Sequence, residues 1–324
     1  MCPDIISLGE LLVEIMRSNV DIPHGRIGAT YKGPFPSGAP AIFIDSAARM
    51  GKQFNLSTGF IGVVGNDEFG QCIIKKLKND NVDISQIKVL KDTTTGMAFN
   101  QYNSDGSRKF IFAAGAAGKT TPDEIKEEYF SNVRAIHIMG SALSISESSQ
   151  EACYKALKIA KQKNPGVIIS FDPNIRPEML DLKIIRKICE PVLNETDILM
   201  PSGEEAEMLA GVKGEKEASV KLLEKGPKLV VLKQGKEGCM IFSSENLDGI
   251  KISGFKVNQI DPTGAGDSFG GAFMVGYLVG WKLVKIAKFA NAVGALKVQT
   301  FGPMPDTTYD EVLELIKANE SEIE

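Results

Sequence analysis

The chain has little of what usually builds metal centres, disulfide frameworks and membrane spans. Among its 324 residues are two His, one Trp and five Cys. The cysteines are odd in number and lack the spacing of metal ligands, so they predict reduced, mostly buried thiols. No apolar run is long enough to span a membrane, and no basic leader opens the chain. These absences predict a cytoplasmic protein.

An excess of charge of one sign is also missing. The chain carries 37 Lys and Arg against 41 Asp and Glu, a formal net charge of −4. This balance provides no basic face for nucleic acid or for an anionic membrane. The hydrophobic share of 43% is typical of a globular protein that buries a large core. The length fits one large α/β domain or two ordinary ones.

Strand and helix patterns alternate along the second half of the chain. Strands are predicted at 135–139, 167–171 and 198–200, and helices near 148–163 and 182–193. Alternation of this kind predicts a parallel sheet covered by helices on both faces. No internal repeat or low-complexity tract indicates a scaffold.

Two regions of the first half differ from this pattern. Residues 21–36 are rich in Gly, Pro and polar residues without helical periodicity, and residues 93–112 contain two β-rich runs. Asp105-Gly106, between those runs, is a strong hairpin signal. Together the two regions predict a small β lid.

The segment 115–120, GAAGKT, suggests a phosphate-binding P-loop. That motif needs a glycine five residues before Gly118, and Ala113 stands there. The following residues 120–123, TTPD, predict a new helix start rather than the continuation of a P-loop helix. The segment is therefore not interpreted as a nucleotide site.

The segment 261–269, DPTGAGDSF, precedes a helix rich in small residues. Gly264, Ala265 and Gly266 lack bulk, so their N–H groups can approach a ligand at a helix start, where free donors and the helix dipole favour an anion. Asp267 has two interpretations. It is either a charge that stabilises the first helical turn, or a base beside an anion hole for phosphoryl transfer.

Other polar residues follow predicted strands, where ligands of α/β sheets bind. Glu14 is predicted at the far end of a buried strand over residues 5–16, and Arg176 lies in a proline-stiffened loop, 172–177. Each is either a ligand-binding group or a solvated surface charge. Glu205 lies in an acidic first helical turn that also suits a helix dipole without any metal.

The segment 261–269 resembles the C-terminal signature of the ribokinase-like (PfkB) carbohydrate kinases, and the run 59–70, GFIGVVGNDEFG, fits an element of the same family. The resemblance covers nearly the whole chain. It implies one domain over 1–324, a doubly wound α/β/α sandwich with a small β-sheet lid from about 14–35 and 93–112. It also implies an ATP-dependent sugar kinase, although a sugar-sensing protein that has lost catalysis is an alternative against which the intact Asp267 weighs.

The resemblance implies roles for individual residues. It implies Asp267 as the base, an anion hole at Gly264, Ala265 and Gly266, sugar contacts at Glu14, Gly38, Ala39 and Arg176, and ATP contacts at Gly235, Gly238, Thr263 and Asn291. It further implies Mg²⁺ held through water near Glu205, in some relatives K⁺ held by backbone oxygens at Asp261, and room for a homodimer through the lid.

Departures from the family pattern bear on the sugar. Ser37 replaces a glycine and Ile42 replaces an Asn in the substrate turn. In the second lid hairpin Ile111 and Ala113 replace the Tyr and Arg that partner an acidic sugar, and a buried carboxylate without a partner is costly. These departures predict a neutral ketohexose, tagatose or fructose. 2-Keto-3-deoxygluconate stays the alternative because Arg108 and Arg176 remain.

Overall fold

A computed structural model describes residues 2–105, 107–177 and 180–321. Gly106, half of the predicted hairpin signal, lies outside the described residues. The strands are β1 (Ile5–Glu10), β2 (Leu12–Arg17), β3 (Tyr31–Ser37), β4 (Thr58–Gly65), β5 (Val82–Leu90), β6 (Gly96–Tyr102), β7 (Arg108–Ala113), β8 (Ala135–Met139), β9 (Ile168–Asp172), β10 (Ile198–Leu199), β11 (Leu229–Lys233), β12 (Cys239–Ser243) and β13 (Asn246–Ile252). The helices are α1 (Ala39–Gly51), α2 (Glu68–Asn79), α3 (Gly140–Ser144), α4 (Glu147–Lys163), α5 (Leu182–Leu193), α6 (Gly203–Ala210), α7 (Glu215–Leu223), α8 (Ala265–Leu278), α9 (Leu283–Val298) and α10 (Tyr309–Ser321).

Within these residues, nine strands form one large sheet in the order β13-β12-β11-β10-β9-β8-β1-β4-β5. The predicted parallel pairing is confirmed from β11 to β5. It is wrong at the other edge, where β12 and β13 are antiparallel. The short turns at 234–238 and 244–245 explain this, because strands joined by so few residues can only pair antiparallel.

Helices cover this sheet, as the sequence predicts. β1 and β4 are buried at every position, which is the pattern of strands covered on both faces. α8 packs against α1 so closely that a Cβ on Gly271 would lie 2.3 Å from the Phe43 carbonyl oxygen. The small residues after the 261–269 segment therefore let two helix backbones approach each other.

A second, small sheet has the order β3-β2-β6-β7. The prediction of one continuous strand over residues 5–16 is wrong, because the chain leaves the large sheet after Glu10 and enters the small one at Leu12. Glu14 consequently lies in the small sheet and not at the end of a core strand. Gly9, with a φ of 139°, interrupts the apolar run directly before the change of sheet and was the available signal.

The segment that suggested a P-loop forms a 3-10 turn over Gly115–Gly118. Thr121 and Glu124 then form a capping box around a second short turn. The strand, loop and long helix of a P-loop are therefore missing at this place. No helix in the described part of the chain has the length and apolar character that a membrane crossing requires.

Candidate active site

A cavity of about 1200 Å³ opens between the carboxyl ends of the large-sheet strands and one face of the small sheet. Carboxyl ends of parallel strands meet at one edge, where ligands of open α/β sheets bind. The predicted site residues that line the cavity are Glu14, Gly38, Ala39, Arg176, Glu205, Gly235, Gly238, Thr263, Gly264, Ala265, Gly266, Asp267 and Asn291. Asp261 lies behind the cavity wall and is 1% exposed.

The turn before α8 presents backbone donors to the cavity. Gly264 caps the helix with a φ of 81°, and a Cβ there would lie 2.8 Å from the Pro303 carbonyl oxygen, so a glycine is required. The Ala265 amide, expected in the anion hole, instead donates to the Pro262 carbonyl at 3.3 Å. The amides of Gly264, Gly266 and Asp267 have no backbone acceptor within the described residues. Those of Gly266 and Asp267 belong to the first turn of the helix, where free donors can bind an anion.

Asp267 lies in the first turn of α8, half-buried at the cavity. Burial raises the pKa of Asp267 to about 7, and the negative charge of Asp172 adds to the rise. The positive charges of Lys233 and Arg176 oppose it. A carboxyl that titrates near neutral pH can take up a proton and release it again, which is the property of a general base.

A buried ion pair lies directly behind this carboxyl. Lys233, at the end of β11, donates to Asp172, at the end of β9. Burial raises the pKa of Asp172, whereas the pKa of Lys233 is raised by Asp172 and Glu205 in spite of its burial. A Cβ on Gly266 would lie 3.3 Å from the Lys233 Nζ. The sequence left the role of Lys233 open. Its ammonium places a positive charge next to Gly266, whose amide has no acceptor within the described residues.

One end of the cavity is polar. Ser37 donates to one carboxylate oxygen of Glu14 at 2.6 Å, and the Asn100 side chain donates to the other. Burial raises the pKa of Glu14 to about 7. Gly38 and Ala39 begin α1 beside it. Glu14 therefore has fixed oxygens that can switch between accepting and donating a hydrogen bond near neutral pH.

Glu10 is a cavity residue that the sequence analysis missed. It ends β1, is 5% exposed, and its Oε2 has no hydrogen-bond partner among the described residues. Burial raises the pKa of Glu10 to about 6, and the positive charge of Arg176 opposes the rise. Its position at the carboxyl end of a buried strand was the available signal, hidden by the assumption that the strand continued to residue 16.

The register of β7 corrects the argument about acidic sugars. Phe110 and Phe112 line the cavity together with Arg108. Side chains alternate between the two faces of a strand, so Ile111 and Ala113 lie on the outer face, and Ile111 is 52% exposed. The two departures noted in the sequence consequently do not shape the cavity wall. Arg108 lies at its rim, with Cζ 5.9 Å from the centre of the Phe110 ring.

The other end of the cavity has one apolar wall, with the Gly235–Glu237 turn at its edge. Asn291, expected to approach adenine, donates its amide to the carbonyls of Ile252 and Ser253 at 3.2 Å each. It therefore holds the end of β13. The wall next to it contains cavity residues that no sequence motif indicated. The apolar side chains of that wall are Phe255, Val257, Ala295 and Val298.

The two expected cation residues have protein partners. The oxygens of Glu205 accept from the amides of Ile175 at 3.0 Å and Ser202 at 2.7 Å. The carbonyl oxygen of Asp261 accepts from the Lys297 Nζ at 2.8 Å, so a lysine ammonium lies where the sequence analysis expected a monovalent cation. No group of three or more His, Cys, Asp or Glu in the described ranges could hold a metal ion by itself.

Known carbohydrate kinases resemble this chain in sequence and in fold. A model of the pfkB family of carbohydrate kinases matches residues 33–309. The 5-dehydro-2-deoxygluconokinase of Clostridium beijerinckii is 31% identical, over 98% of this chain and 94% of its own. The 2-dehydro-3-deoxygluconokinase of Thermoproteus tenax is 33% identical (97% and 94%), and fructokinase-1 of Zea mays is 30% identical (97% and 97%).

A solved structure of a protein assigned as ribokinase II from E. coli, in complex with ATP and Mg²⁺, is 39% identical. It superimposes with a TM-score of 0.89 over 98% of this chain and 99% of the other. The ribokinase-like α/β fold expected from the sequence is confirmed by this likeness. The chain belongs to the pfkB family of carbohydrate kinases and is a phosphotransferase that acts on a sugar hydroxyl.

Proposed function

We propose that this kinase phosphorylates a neutral ketohexose, tagatose or fructose, with ATP as donor and Asp267 as base. The observation that carries the mechanism is a carboxyl with a pKa of about 7 next to two amides without acceptors. Asp267 takes the proton of the sugar hydroxyl while that oxygen forms a bond to the γ-phosphorus. The bond from this phosphorus to the β–γ bridging oxygen breaks, and ADP leaves with that electron pair.

The surrounding residues stabilise the transferring group. The amides of Gly266 and Asp267 point from a helix start, where the dipole favours negative charge, and would donate to the phosphoryl oxygens. Lys233 adds a positive charge behind them, and Arg176 adds one at the cavity surface. Since Ala265 donates to Pro262, its amide takes part only if the turn adjusts when ATP binds.

The residues also fit ATP and magnesium. The apolar wall at Phe255 and Val257 suits an adenine, and the Gly266 turn suits the phosphates. Magnesium on the nucleotide phosphates supplies charge neutralisation at their oxygens. Glu205 would hold a water of that ion, because an oxygen that accepts one amide keeps a second acceptor position.

A neutral sugar fits the charges at the polar end of the cavity. Glu10 and Glu14 are both buried there, and each would hydrogen-bond a hydroxyl. A carboxylate on the substrate would be repelled whenever these groups ionise. Phe110 and Phe112 add an apolar wall that suits the carbon face of a sugar ring. The ketohexose assignment rests on this balance.

The proposal is tested by measuring ADP formation with a panel of ketohexoses and with 2-keto-3-deoxygluconate side by side. We expect kcat/KM for the best ketohexose to exceed that for the acid by at least ~10-fold, about 1.4 kcal/mol of transition-state discrimination. A better turnover of the acid would reject the ketohexose and leave the kinase assignment intact.

A second candidate, 2-keto-3-deoxygluconate, is favoured by one observation. Arg108 and Arg176 both line the cavity, and a guanidinium is a good partner for a carboxylate. The relatives from Clostridium and Thermoproteus, by their names, act on such acids. Saturation by the acid at low concentration, lost when Arg108 is removed, would support this candidate over the first.

We also propose that the small sheet acts as a lid over the sugar. Its inner face lines the cavity, and a closed lid excludes water from phosphoryl transfer. Residues 14–35 and 93–112 should therefore gain protection from hydrogen exchange when a productive sugar is added. Equal protection with and without every productive sugar would contradict the lid.

We propose that the protein forms a homodimer through the small sheet. β7 is an edge strand of this sheet and every residue in it is exposed, including Phe110 and Ile111. Exposed apolar edge strands tend to pair with another chain. Light scattering on Ile111→Lys should show a smaller mass than the unchanged protein, and a monomeric unchanged protein would reject the arrangement.

A further inference from the structure

Lys297, in the last turn of α9, is an unusual buried lysine. Its side chain is 0% exposed, and lysine is almost never fully buried unless its ammonium is paired. Its Nζ donates to the carbonyl oxygens of Asp261 at 2.8 Å and Thr300 at 3.3 Å. It also lies 3.6 Å from the Asp261 carboxylate. A positive group is thus enclosed by carbonyl oxygens and one carboxylate.

Asp261 connects this ammonium to the turn before Asp267. Its carboxylate accepts from the amides of Thr263 and Gly302 at 2.9 Å each and from the Tyr102 hydroxyl at 2.9 Å. Its carbonyl oxygen is the one that Lys297 holds. The ammonium therefore fixes both the main chain and the side chain of the residue from which the turn at 262–264 begins.

The same geometry tests whether a monovalent cation fits. Potassium is held in proteins by oxygens, often backbone carbonyls, that replace its hydration shell. Here the Asp261 carbonyl is already bonded to an ammonium, and a second cation beside it would be repelled at short range. The residues present do not fit a bound K⁺ at Asp261, although the family resemblance implies one in some relatives.

We propose that Lys297 is a positioning residue whose ammonium takes the place of a monovalent cation behind the Gly266 turn. Phosphoryl transfer by this chain then needs no added K⁺. The inference rests on the proposed function, because it takes the turn before Asp267 as the phosphate-binding element. It concerns how that turn is held and does not depend on which sugar is used.

The first experiment uses the unchanged protein. Turnover is measured in KCl and in choline chloride at equal ionic strength, with Mg²⁺ and ATP constant. The two rates should agree within about twofold, since a site already filled by an ammonium gains little from free cation. Activation of tenfold or more by K⁺ would overturn the proposal.

The second experiment removes the ammonium. Lys297→Met keeps the chain length but leaves the Asp261 and Thr300 carbonyls without their donor. In choline chloride we expect kcat to fall about 10- to 100-fold, because small misplacements of a catalytic turn cost this much. Addition of K⁺ or NH₄⁺ should raise the kcat of this variant by at least about tenfold, since either cation can bind the freed oxygens.

Lys285→Met is the matched control. Lys285 is in the same helix but is exposed, with Nζ 4.0 Å from the centre of the Trp281 ring. This variant should respond to K⁺ no more than the unchanged protein. A response equal to that of Lys297→Met would show that the rescue is a general salt effect and would overturn the proposal.

Melting curves give a second readout that needs no sugar. Binding of a cation to the folded state alone raises the melting temperature, so Lys297→Met should melt higher in KCl than in choline chloride. The unchanged protein should not. The proposal would be overturned if Lys297→Met responded to K⁺ in neither melting nor turnover. It would also be overturned if this variant folded in neither salt.

These outcomes are separable from a failure of the proposed function. If the unchanged protein transferred no phosphoryl group under any condition, the kinase mechanism would fail while the melting curves still decided whether K⁺ replaces the ammonium.

Discussion

The two sheets face each other across one cavity but differ in how they are built. Strands β1 and β4 of the large sheet are buried throughout, whereas β7 of the small sheet is exposed throughout. At the ends of the large-sheet strands, Lys233 and Asp172 form a buried ion pair. On the small sheet, Arg108 projects into the rim of the cavity.

This difference separates two tasks. Phosphoryl transfer needs groups held in place, and a covered sheet with paired charges holds them. Recognition of a sugar needs a surface that can open and vary, and a thin sheet with one free face supplies it. We therefore expect the largest effects on rate and folding from changes at the large sheet, and effects on substrate preference from changes at the small sheet.

The largest effect should come from the base. Asp267→Asn keeps the size of the side chain but cannot accept the hydroxyl proton, so turnover should fall by about 10²–10⁴ while the fold is kept. In the unchanged protein, kcat/KM should rise with pH until about pH 7, because burial raises the pKa of Asp267 to about 7 and the ionised form is active. Steady-state assays across pH measure both.

Asp248→Asn is the control, since Asp248 pairs with Lys216 at the surface. If Asp267→Asn transferred phosphate at the unchanged rate, the large sheet would not carry the chemistry, and the comparison would fail at its first step.

The second effect concerns folding. Lys233→Met leaves Asp172, 1% exposed, without its ion partner. Removal of one partner of a buried pair destabilises proteins by about 3–5 kcal/mol. The double variant Asp172→Asn, Lys233→Met should recover most of this stability without recovering turnover. Denaturant unfolding of the unchanged protein, the single variant and the double variant measures these stabilities. Equal losses of stability in the two variants would show that the pair does not act as a unit.

The sequence predicts the large sheet better than the small one. The alternation after residue 133 and the 261–269 segment are local patterns, and both correspond to elements of the structure. Lys233 could not be assigned because its partner Asp172 comes from another strand, and Glu10 was missed because the chain leaves the large sheet directly after it. The face on which Ile111 lies depends on the register of β7 against β6, which a hairpin signal alone does not specify.

The third effect is a pH-dependent stability at the small sheet. The pKa of Glu14 is raised by burial from 4.5 to about 7, so the folded state favours its protonated form. The stability linked to this group is complete below about pH 4.5 and is lost as the pH rises through about 7. Glu14→Gln stays neutral and should stabilise the protein at about pH 8 by up to about 3 kcal/mol, and hardly at about pH 4.

Unfolding of both proteins at the two pH values measures this difference. The exposed Glu245 offers a control, because Glu245→Gln should change stability at neither pH. A loss of stability at high pH in Glu14→Gln would mean that the bonds from Ser37 and Asn100 outweigh the cost of burying the charge.

The smallest effect should separate the two candidate sugars. Arg108 lies at the cavity rim on the inner face of β7, while its neighbour Lys109 is on the outer face. Arg108→Ala should lower kcat/KM for 2-keto-3-deoxygluconate about threefold to tenfold, at most about 1.4 kcal/mol, because an exposed ion pair is weakened by solvent. Turnover of the ketohexose should be unchanged, and Lys109→Ala should affect neither substrate. If Arg108→Ala lowered kcat/KM for both substrates equally, Arg108 would contribute to lid closure rather than to recognition of a carboxylate. Substrate preference would then have to be sought in Arg176, in the loop after β9.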